Sequence, residues 1–215
     1  MAAVSESVVR EYLEMQGFFI LQQQKYVGPS RQEDDEVDFY IINPKPVPLQ
    51  KDRPFVLNSS DLAGLQCAVV VVMGWHSDTL APSVLAHAPQ ILRFLEPGAA
   101  QQAAKAFGEG KMPTRLLVVP ALPSGAEAKQ QCLELLRGKG LDGVILFRTI
   151  LVDLISQVEV NRNYTKSDVL QVIRILKNYD LLRDPQLELF RPRRSRSVLP
   201  AGRRRETGDK GTREA

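Results

Sequence analysis

The chain has few cysteines and no long apolar run among its 215 residues. Cys67 and Cys132 are its two cysteines, and neither stands at metal-ligand spacing from a partner. They indicate buried thiols in a reducing compartment rather than a disulfide. No stretch approaches the roughly 18–20 apolar residues that cross a bilayer, and the N-terminus lacks the basic region and apolar core of a signal peptide. We therefore expect a cytoplasmic protein with no membrane partner.

The sequence also lacks the familiar motifs of phosphate binding and nucleophilic catalysis. It contains no GxGxxG, Walker A or GxSxG pattern. His76 and Asp78 have a spacing that suits two metal ligands, but no third histidine or cysteine lies nearby, so a loop with local hydrogen bonds is the simpler interpretation. No cofactor is expected, except Mg²⁺ if the chain is an active nuclease.

Charge is divided unevenly along the chain. Residues 191–215 contain nine basic and three acidic residues, a net charge of +6, which leaves −3 for the rest because the whole chain carries +3. This tail has almost no core-forming residues and is predicted to be disordered. Six of its arginines are expected to attract nucleic acid, DNA included, through the phosphates and without sequence preference; they are Arg193, Arg194, Arg196, Arg203, Arg204 and Arg205.

The hydrophobic pattern predicts alternating helices and strands. The helices are predicted over 5–16, 83–95, 98–107, 126–138, 149–160 and 165–179, and the strands over 18–26, 37–42, 67–73, 115–120 and 143–147. Ser5 is the predicted cap of the first helix, and Thr165 with Asp168 begins the last one as a capping box. The prolines between 44 and 54 exclude regular structure there. This order predicts an α/β fold whose mixed central sheet has helices on both faces.

Three regions follow from this order. Residues 1–147 form the α/β core, residues 148–190 form a C-terminal helical hairpin packed on it, and residues 191–215 form the basic tail. The hairpin also suits a helix-turn-helix DNA reader, in which Arg162, Lys166, Arg174 and Lys177 would face phosphate. Helical hairpins that cover a sheet or form a dimer are commoner, and the apolar faces here are ample for either.

Asp38 is an acid inside a strand-like segment, 37–42. Burial of a carboxylate is costly unless it is paired or binds a metal. The next central strand, 67–73, is followed by Trp75, which lies where ligands gather in α/β sheets. Trp75 has the ring to stack on a base, although we favour its packing in the core.

The element order, with an acid in the second strand, resembles the PD-(D/E)xK nuclease-like superfamily of restriction endonucleases and Holliday-junction resolvases. The resemblance covers roughly residues 5–147 and implies a restriction-endonuclease-like fold and metal-dependent phosphodiester hydrolysis. Asp38 matches the metal-binding acid of the second strand, and Glu11 or Glu14 matches an acid of the N-terminal helix. The third strand should end in (D/E)-x-K, but Val71 and Met73 stand at those positions.

This departure removes chemistry that the reaction requires. In the family two carboxylates hold a metal that activates water, Mg²⁺ prefers oxygen ligands, and the lysine stabilises developing negative charge. Valine and methionine do neither. Some family members supply the acid from the following helix, where Glu96 lies with Lys105, although both residues are also typical of a solvated helix surface.

Three functions remain open. The first is a nuclease-like domain without catalysis that binds nucleic acid or acts as a scaffold, with Asp38 as a remnant or a structural hydrogen-bonding acid. The second is an active Mg²⁺-dependent endonuclease whose rearranged site uses Asp38 with Glu11, Glu14 or Glu96. The third is a protein-interaction domain without nucleic acid, a homodimer through the C-terminal helices. We favour the first, which is not an enzyme.

Overall fold

A six-stranded mixed sheet forms the centre of the molecule, with helices on both faces. The computed structural model describes residues 2–22, 37–48, 53–76, 79–108 and 112–182. The predicted extension of the first strand to 26, Asp78 and the arginine-rich tail lie outside these residues. The strands are β1 (Phe19–Gln22), β2 (Phe39–Ile42), β3 (Val56–Leu57), β4 (Cys67–Val72), β5 (Thr114–Val119) and β6 (Gly143–Leu146).

The helices are α1 (Ala2–Met15), α2 (Ser59–Leu62), α3 (Pro82–His87), a 3-10 helix (Pro89–Leu95), α4 (Pro97–Phe107), α5 (Ala126–Gly138), α6 (Phe147–Gln157) and α7 (Asp168–Asn178). They follow the predicted order, except that α2 was not predicted and the predicted helix 83–95 is divided into α3 and a 3-10 helix. The prediction of an α/β fold with a mixed sheet is confirmed. None of the described helices is long and apolar enough to cross a membrane.

The sheet combines an antiparallel and a parallel part. Its order is β1-β2-β4-β5-β6-β3. Strand β2 pairs antiparallel with both β1 and β4, whereas β4, β5, β6 and β3 run parallel to one another. Strand β4 lies inside the sheet and is buried along nearly its whole length, as its run of apolar residues predicts.

Two hydrophobic layers hold the helices to the sheet. On one face, called the α1 face, α1, α6 and α7 pack on one another and on the inward side chains of the strands. On the other, called the α5 face, α3, the 3-10 helix, α4 and α5 cover the alternate side chains. The hairpin of α6 and α7 therefore shares the core of the sheet. Cys67 and Cys132 are both buried, as predicted.

Several local predictions were wrong for tertiary reasons. Helix α1 begins at Ala2, so Ser5 is a buried residue of its first turns and not its cap. Ser167 caps α7, with its Oγ accepting the Leu170 N–H at 3.2 Å, in place of the predicted Thr165–Asp168 box. No element was predicted at 56–62, where β3 forms because the edge of β6 pairs with Val56 and Leu57. Helix α2 follows, with the Asn58 N–H donating to Asp61 Oδ2 at 2.8 Å.

Candidate functional site at the carboxyl edge of the sheet

One edge of the sheet brings together the residues that the sequence marks for function. Strands β4, β5 and β6 are parallel, so all three end at this edge, which is called the carboxyl edge. Because β2 is antiparallel to β4, Asp38, just before β2, lies here too. Trp75 and His76 follow the end of β4, and α6 begins here at Phe147.

Asp38 is bound to the end of β4 by both its main chain and its side chain. Its N–H donates to the Val70 carbonyl at 3.1 Å, and its Oδ2 accepts the Val72 N–H at 2.7 Å. The side chain is half-buried. The carboxylate thus extends the hydrogen bonding between the two strands beyond the last paired residue of β2. This is a structural use of the acid, one of the two roles expected for it.

The positions of the missing (D/E)-x-K pair lie in the hydrophobic core. Met73 is buried in the layer on the α5 face, and Val71 packs against the same layer. Val69 precedes them in that alternation. These side chains therefore present no ligand atom at the carboxyl edge beside Asp38.

His76 is held between two helices of the α1 face. Its Nε2 lies 2.8 Å from Ser5 Oγ of α1, and its ring meets the Phe147 ring edge-to-face at 4.3 Å between centroids. Ser5 is 2% exposed. The predicted local hydrogen bonding of His76 is wrong, because its partner comes from the far end of the chain. Its role here is to join the end of β4 to α1 and α6.

Trp75 is exposed, so the prediction that it packs in the core is wrong. Its exposed fraction is 44%, compared with 7% for Met73 two residues before it. Beside it, α6 follows β6 without a loop, and no side chain caps the helix at Leu146. Arg148, in the first turn of α6, is exposed. The carboxyl edge therefore offers an indole face, a guanidinium group and the N–H groups of a helix start.

The structure spreads the remaining predicted acids over separate places. Glu11 is buried on α1, whereas Glu14 lies on the solvent side of the same helix, 4.0 Å from Arg10. Glu96 precedes α4 and lines a cavity of about 460 Å³ with Leu135 and Lys139. Within the described ranges, no three histidine, cysteine or acidic side chains are grouped to hold a metal. The four predicted acids therefore do not form one such group.

Glu6 is an acid that the sequence analysis missed. It is 9% exposed on α1, and its Oε2 accepts a hydrogen bond from Gln22 Nε2 at the end of β1, at 3.1 Å. The sequence gives no signal for such a contact, because Gln22 belongs to another element. Glu6 ties α1 to β1 near the same edge.

A second polar network lies deep between the helices of the α1 face. The Tyr12 hydroxyl lies 2.9 Å from Ser59 Oγ, and Ser59 donates to Asp153 Oδ2 of α6. Burial raises the pKa of Tyr12 to about 12, with a further small contribution from the charge of Asp153. Tyr12 is 0% exposed, and its hydroxyl joins α1 to α2 within the core.

The basic residues of the C-terminal hairpin serve its own fold. Lys177 Nζ donates to the carbonyls of Ile155 and Val158 at 2.8 and 2.9 Å, where α6 ends. Arg174 Nε donates to the Val160 carbonyl at 2.9 Å. Two of the four cations assigned to phosphate in the helix-turn-helix hypothesis are thus engaged with main-chain oxygens.

The carboxyl edge is the best-supported candidate site, and its geometry suits contact with a ligand better than metal-dependent hydrolysis. Comparison of the chain with models of known families, with curated proteins and with solved structures finds no match.

Proposed function

We propose that the chain is a non-catalytic module that retains a nuclease-like core and binds nucleic acid. The observation on which this proposal rests is the environment of Asp38. Its carboxylate accepts the Val72 N–H, while the side chains at 71 and 73 pack in the hydrophobic layer on the α5 face. A structural acid beside two core residues replaces the two acids and lysine of a nuclease site.

The order of elements supports the nuclease-like core. The chain order is α1, β1, β2, β4, the helices from α3 to α4, and β5. This is the order helix, strand, strand with Asp, strand, helix, strand, with Asp38 placed just before β2. Strand β3 and α2 are inserted between the second and third of these strands. Strand β6 with α6 and α7 extends the core at its end. The restriction-endonuclease-like assignment is therefore part of the proposal.

Two features support the binding of nucleic acid. The tail carries the six arginines from Arg193 to Arg205, and each phosphate that such a group neutralises releases counterions, which makes binding strong at low salt. The folded part adds Trp75 and Arg148 at the carboxyl edge. An exposed aromatic ring and an exposed cation on the same edge of the sheet suit an unpaired base and its phosphate.

Fluorescence anisotropy with labelled single-stranded, duplex and branched DNA tests this proposal. We expect the full chain to bind at low salt, with a slope of log K against log salt that becomes shallower when the six tail arginines are changed to glutamine. Trp75→Ala should weaken the binding of single-stranded and branched DNA by about ten-fold, since stacking is worth roughly 1–3 kcal/mol per base. Arg148→Gln should weaken the binding of every DNA by removing a phosphate contact. Arg10→Gln, on the outer side of α1, is its matched charge control and should leave the affinity unchanged.

Two results would contradict the proposal. Absence of binding to every DNA at low salt would exclude the nucleic-acid role. Cleavage with Mg²⁺ or Mn²⁺ that is lost in Asp38→Asn would establish instead the rearranged nuclease, with its second acid to be sought at Glu11, Glu14 or Glu96. Cleavage that survives Asp38→Asn would indicate a contaminant.

A second candidate function, dimerisation through the C-terminal helices, is favoured by one surface of α7. Val172, Ile175 and Tyr179 recur at helical spacing and are 54%, 44% and 71% exposed. An apolar stripe of this kind typically marks an interaction site. Light scattering should then show a dimer that Ile175→Glu converts to a monomer, while Gln157→Glu on α6 leaves it intact. A native chain that is monomeric at high concentration would exclude this candidate.

A further inference from the structure

A separate cavity opens at the opposite end of the parallel strands, on the α5 face. Its volume is about 360 Å³, within the range of small-molecule sites. Val69 of β4, Phe94 of the 3-10 helix and Ala103 of α4 form its apolar walls, and each is 2% exposed. These walls belong to the sheet and to two helices packed on it, so the cavity is a built part of the fold.

One charged pair in the cavity wall is internally neutralised. Arg115 Nε and Nη2 donate to Asp142 Oδ2 and Oδ1 at 2.9 and 3.2 Å. The Arg115 main-chain N–H also donates to Asp142 Oδ2, at 2.8 Å. The pair joins the starts of β5 and β6. Because its two opposite charges are bound to each other, it adds no net charge to the cavity.

Arg53 supplies the uncompensated charge of the cavity. It lines the same space and is half-buried. Within the described part of the chain its guanidinium forms no ion pair and no hydrogen bond. Burial removes part of the water around a guanidinium that has no bound carboxylate. An anion from solution would replace that water with charge-assisted hydrogen bonds, so the position favours binding of an anion.

We propose that this cavity binds a small organic anion with a flat apolar body, its carboxylate on Arg53 and its body against Val69, Phe94 and Ala103. The charge of the site selects the sign of the ligand, because Arg115 and Asp142 cancel and Arg53 remains. The planar fork of a guanidinium matches the two oxygens of a carboxylate. The walls contribute the burial of apolar area, without which one exposed ion pair would give little affinity. This site is independent of the carboxyl edge and of nucleic-acid binding.

Two probes of the same shape test the proposal on the full-length, ¹⁵N-labelled protein. Naphthoate carries a carboxylate, and naphthamide carries a neutral amide on the same ring system. Titration followed by amide chemical shifts should place both probes at residues of the cavity, with naphthoate bound about ten-fold more tightly because it alone pairs with Arg53.

Arg53→Gln should bring the two affinities to within about two-fold, while the affinity for naphthamide stays unchanged. Lys105→Gln is the matched control, since Lys105 is an exposed cation on α4 two residues after Ala103 and outside the cavity lining; it should preserve the ten-fold preference. Ala103→Leu should weaken both probes by filling the space.

The proposal is overturned by any of three results. The first is that the native protein fails to bind either probe at millimolar concentration. The second is that the chemical-shift changes lie away from the cavity, and the third is that the preference for naphthoate survives Arg53→Gln. Arg53 has no ion pair or hydrogen bond among the described residues, so the melting temperature of Arg53→Gln should match that of the native protein. This match separates loss of binding from loss of fold.

Discussion

Replacing Asp38 by alanine separates a structural acid from a remnant metal ligand. In the structure its carboxylate accepts the Val72 N–H at 2.7 Å, and Val72 is 9% exposed. Removing the acceptor leaves that N–H without its partner, which costs about 1–3 kcal/mol. In a domain of this size the melting temperature should fall by about 2–4 °C for each kcal/mol. Asp38→Asn keeps an acceptor oxygen without the charge, and we expect it to lose about 1 kcal/mol.

Urea unfolding of the native protein and both variants, with and without Mg²⁺, measures these losses. A metal that binds only the folded state would raise its stability by RT ln(1 + [L]/Kd). If Asp38 is a structural acid, Mg²⁺ should change the free energy of unfolding of the native protein and of Asp38→Ala by the same amount. The reasoning fails if Asp38→Ala is as stable as the native protein, since a structural acid cannot be removed without cost. It also fails if Mg²⁺ stabilises the native protein alone, which would show that Asp38 binds the ion.

Three further predictions test the packing around the sheet. Burial raises the pKa of Tyr12 to about 12 from 10.0, so the folded state holds the phenol proton more tightly than the unfolded state does. The stability that this difference contributes is complete below pH 10 and is lost as the pH rises toward 12. The free energy of unfolding should therefore fall by up to about 3 kcal/mol more in the native protein than in Tyr12→Phe over that window, as measured by urea unfolding at several pH values; an equal fall in both proteins would contradict it. Lys177→Met removes the cation from the carbonyls at the end of α6 and should cost about 1 kcal/mol, with faster amide exchange in the last turn of α6; unchanged exchange there would count against the role of Lys177. Gly143→Ala places a Cβ 2.8 Å from Leu57 Cδ1 and 3.1 Å from Leu116 Cδ2, so it should destabilise the protein by about 1–3 kcal/mol in thermal unfolding, whereas no loss would show that the edge strand β3 moves aside freely.

Long periodic elements were predictable because their signal lies within one segment. Helix α5 was predicted with its observed bounds, 126–138, since its apolar residues recur at helical spacing. Strand β4 was predicted from its apolar run to within one residue, 67–73 against Cys67–Val72. The start of α6 was two residues late, because Phe147 and Arg148 have no local capping signal. Strand β3 was missed because two residues have no period, and only pairing with β6 orders them.

The candidate site divides in the same way. The acid at 38 and the apolar residues at 71 and 73 are visible in the sequence, and their shared location follows from the predicted strand order. The partner of the Asp38 carboxylate, the Val72 N–H, is a main-chain group without sequence identity. Trp75 and Met73 are both apolar residues near the end of one strand, yet one is exposed and the other buried. That difference depends on where the strand ends relative to the helices that cover it.

By itself, the sequence determined the α/β class, the order of the long elements, two buried thiols, a basic tail and the absence of an acid and a lysine from the end of β4. These properties depend on composition and on periodicity within a segment. The tertiary structure alone decided that Asp38 serves the sheet, that Trp75 faces solvent, that His76 joins α1 to α6, and that Arg53 lines an apolar cavity whose carboxylate, Asp142, is bound to Arg115. Each of these depends on contacts between residues far apart in the chain, which only the packing of the sheet and its two helical layers brings together.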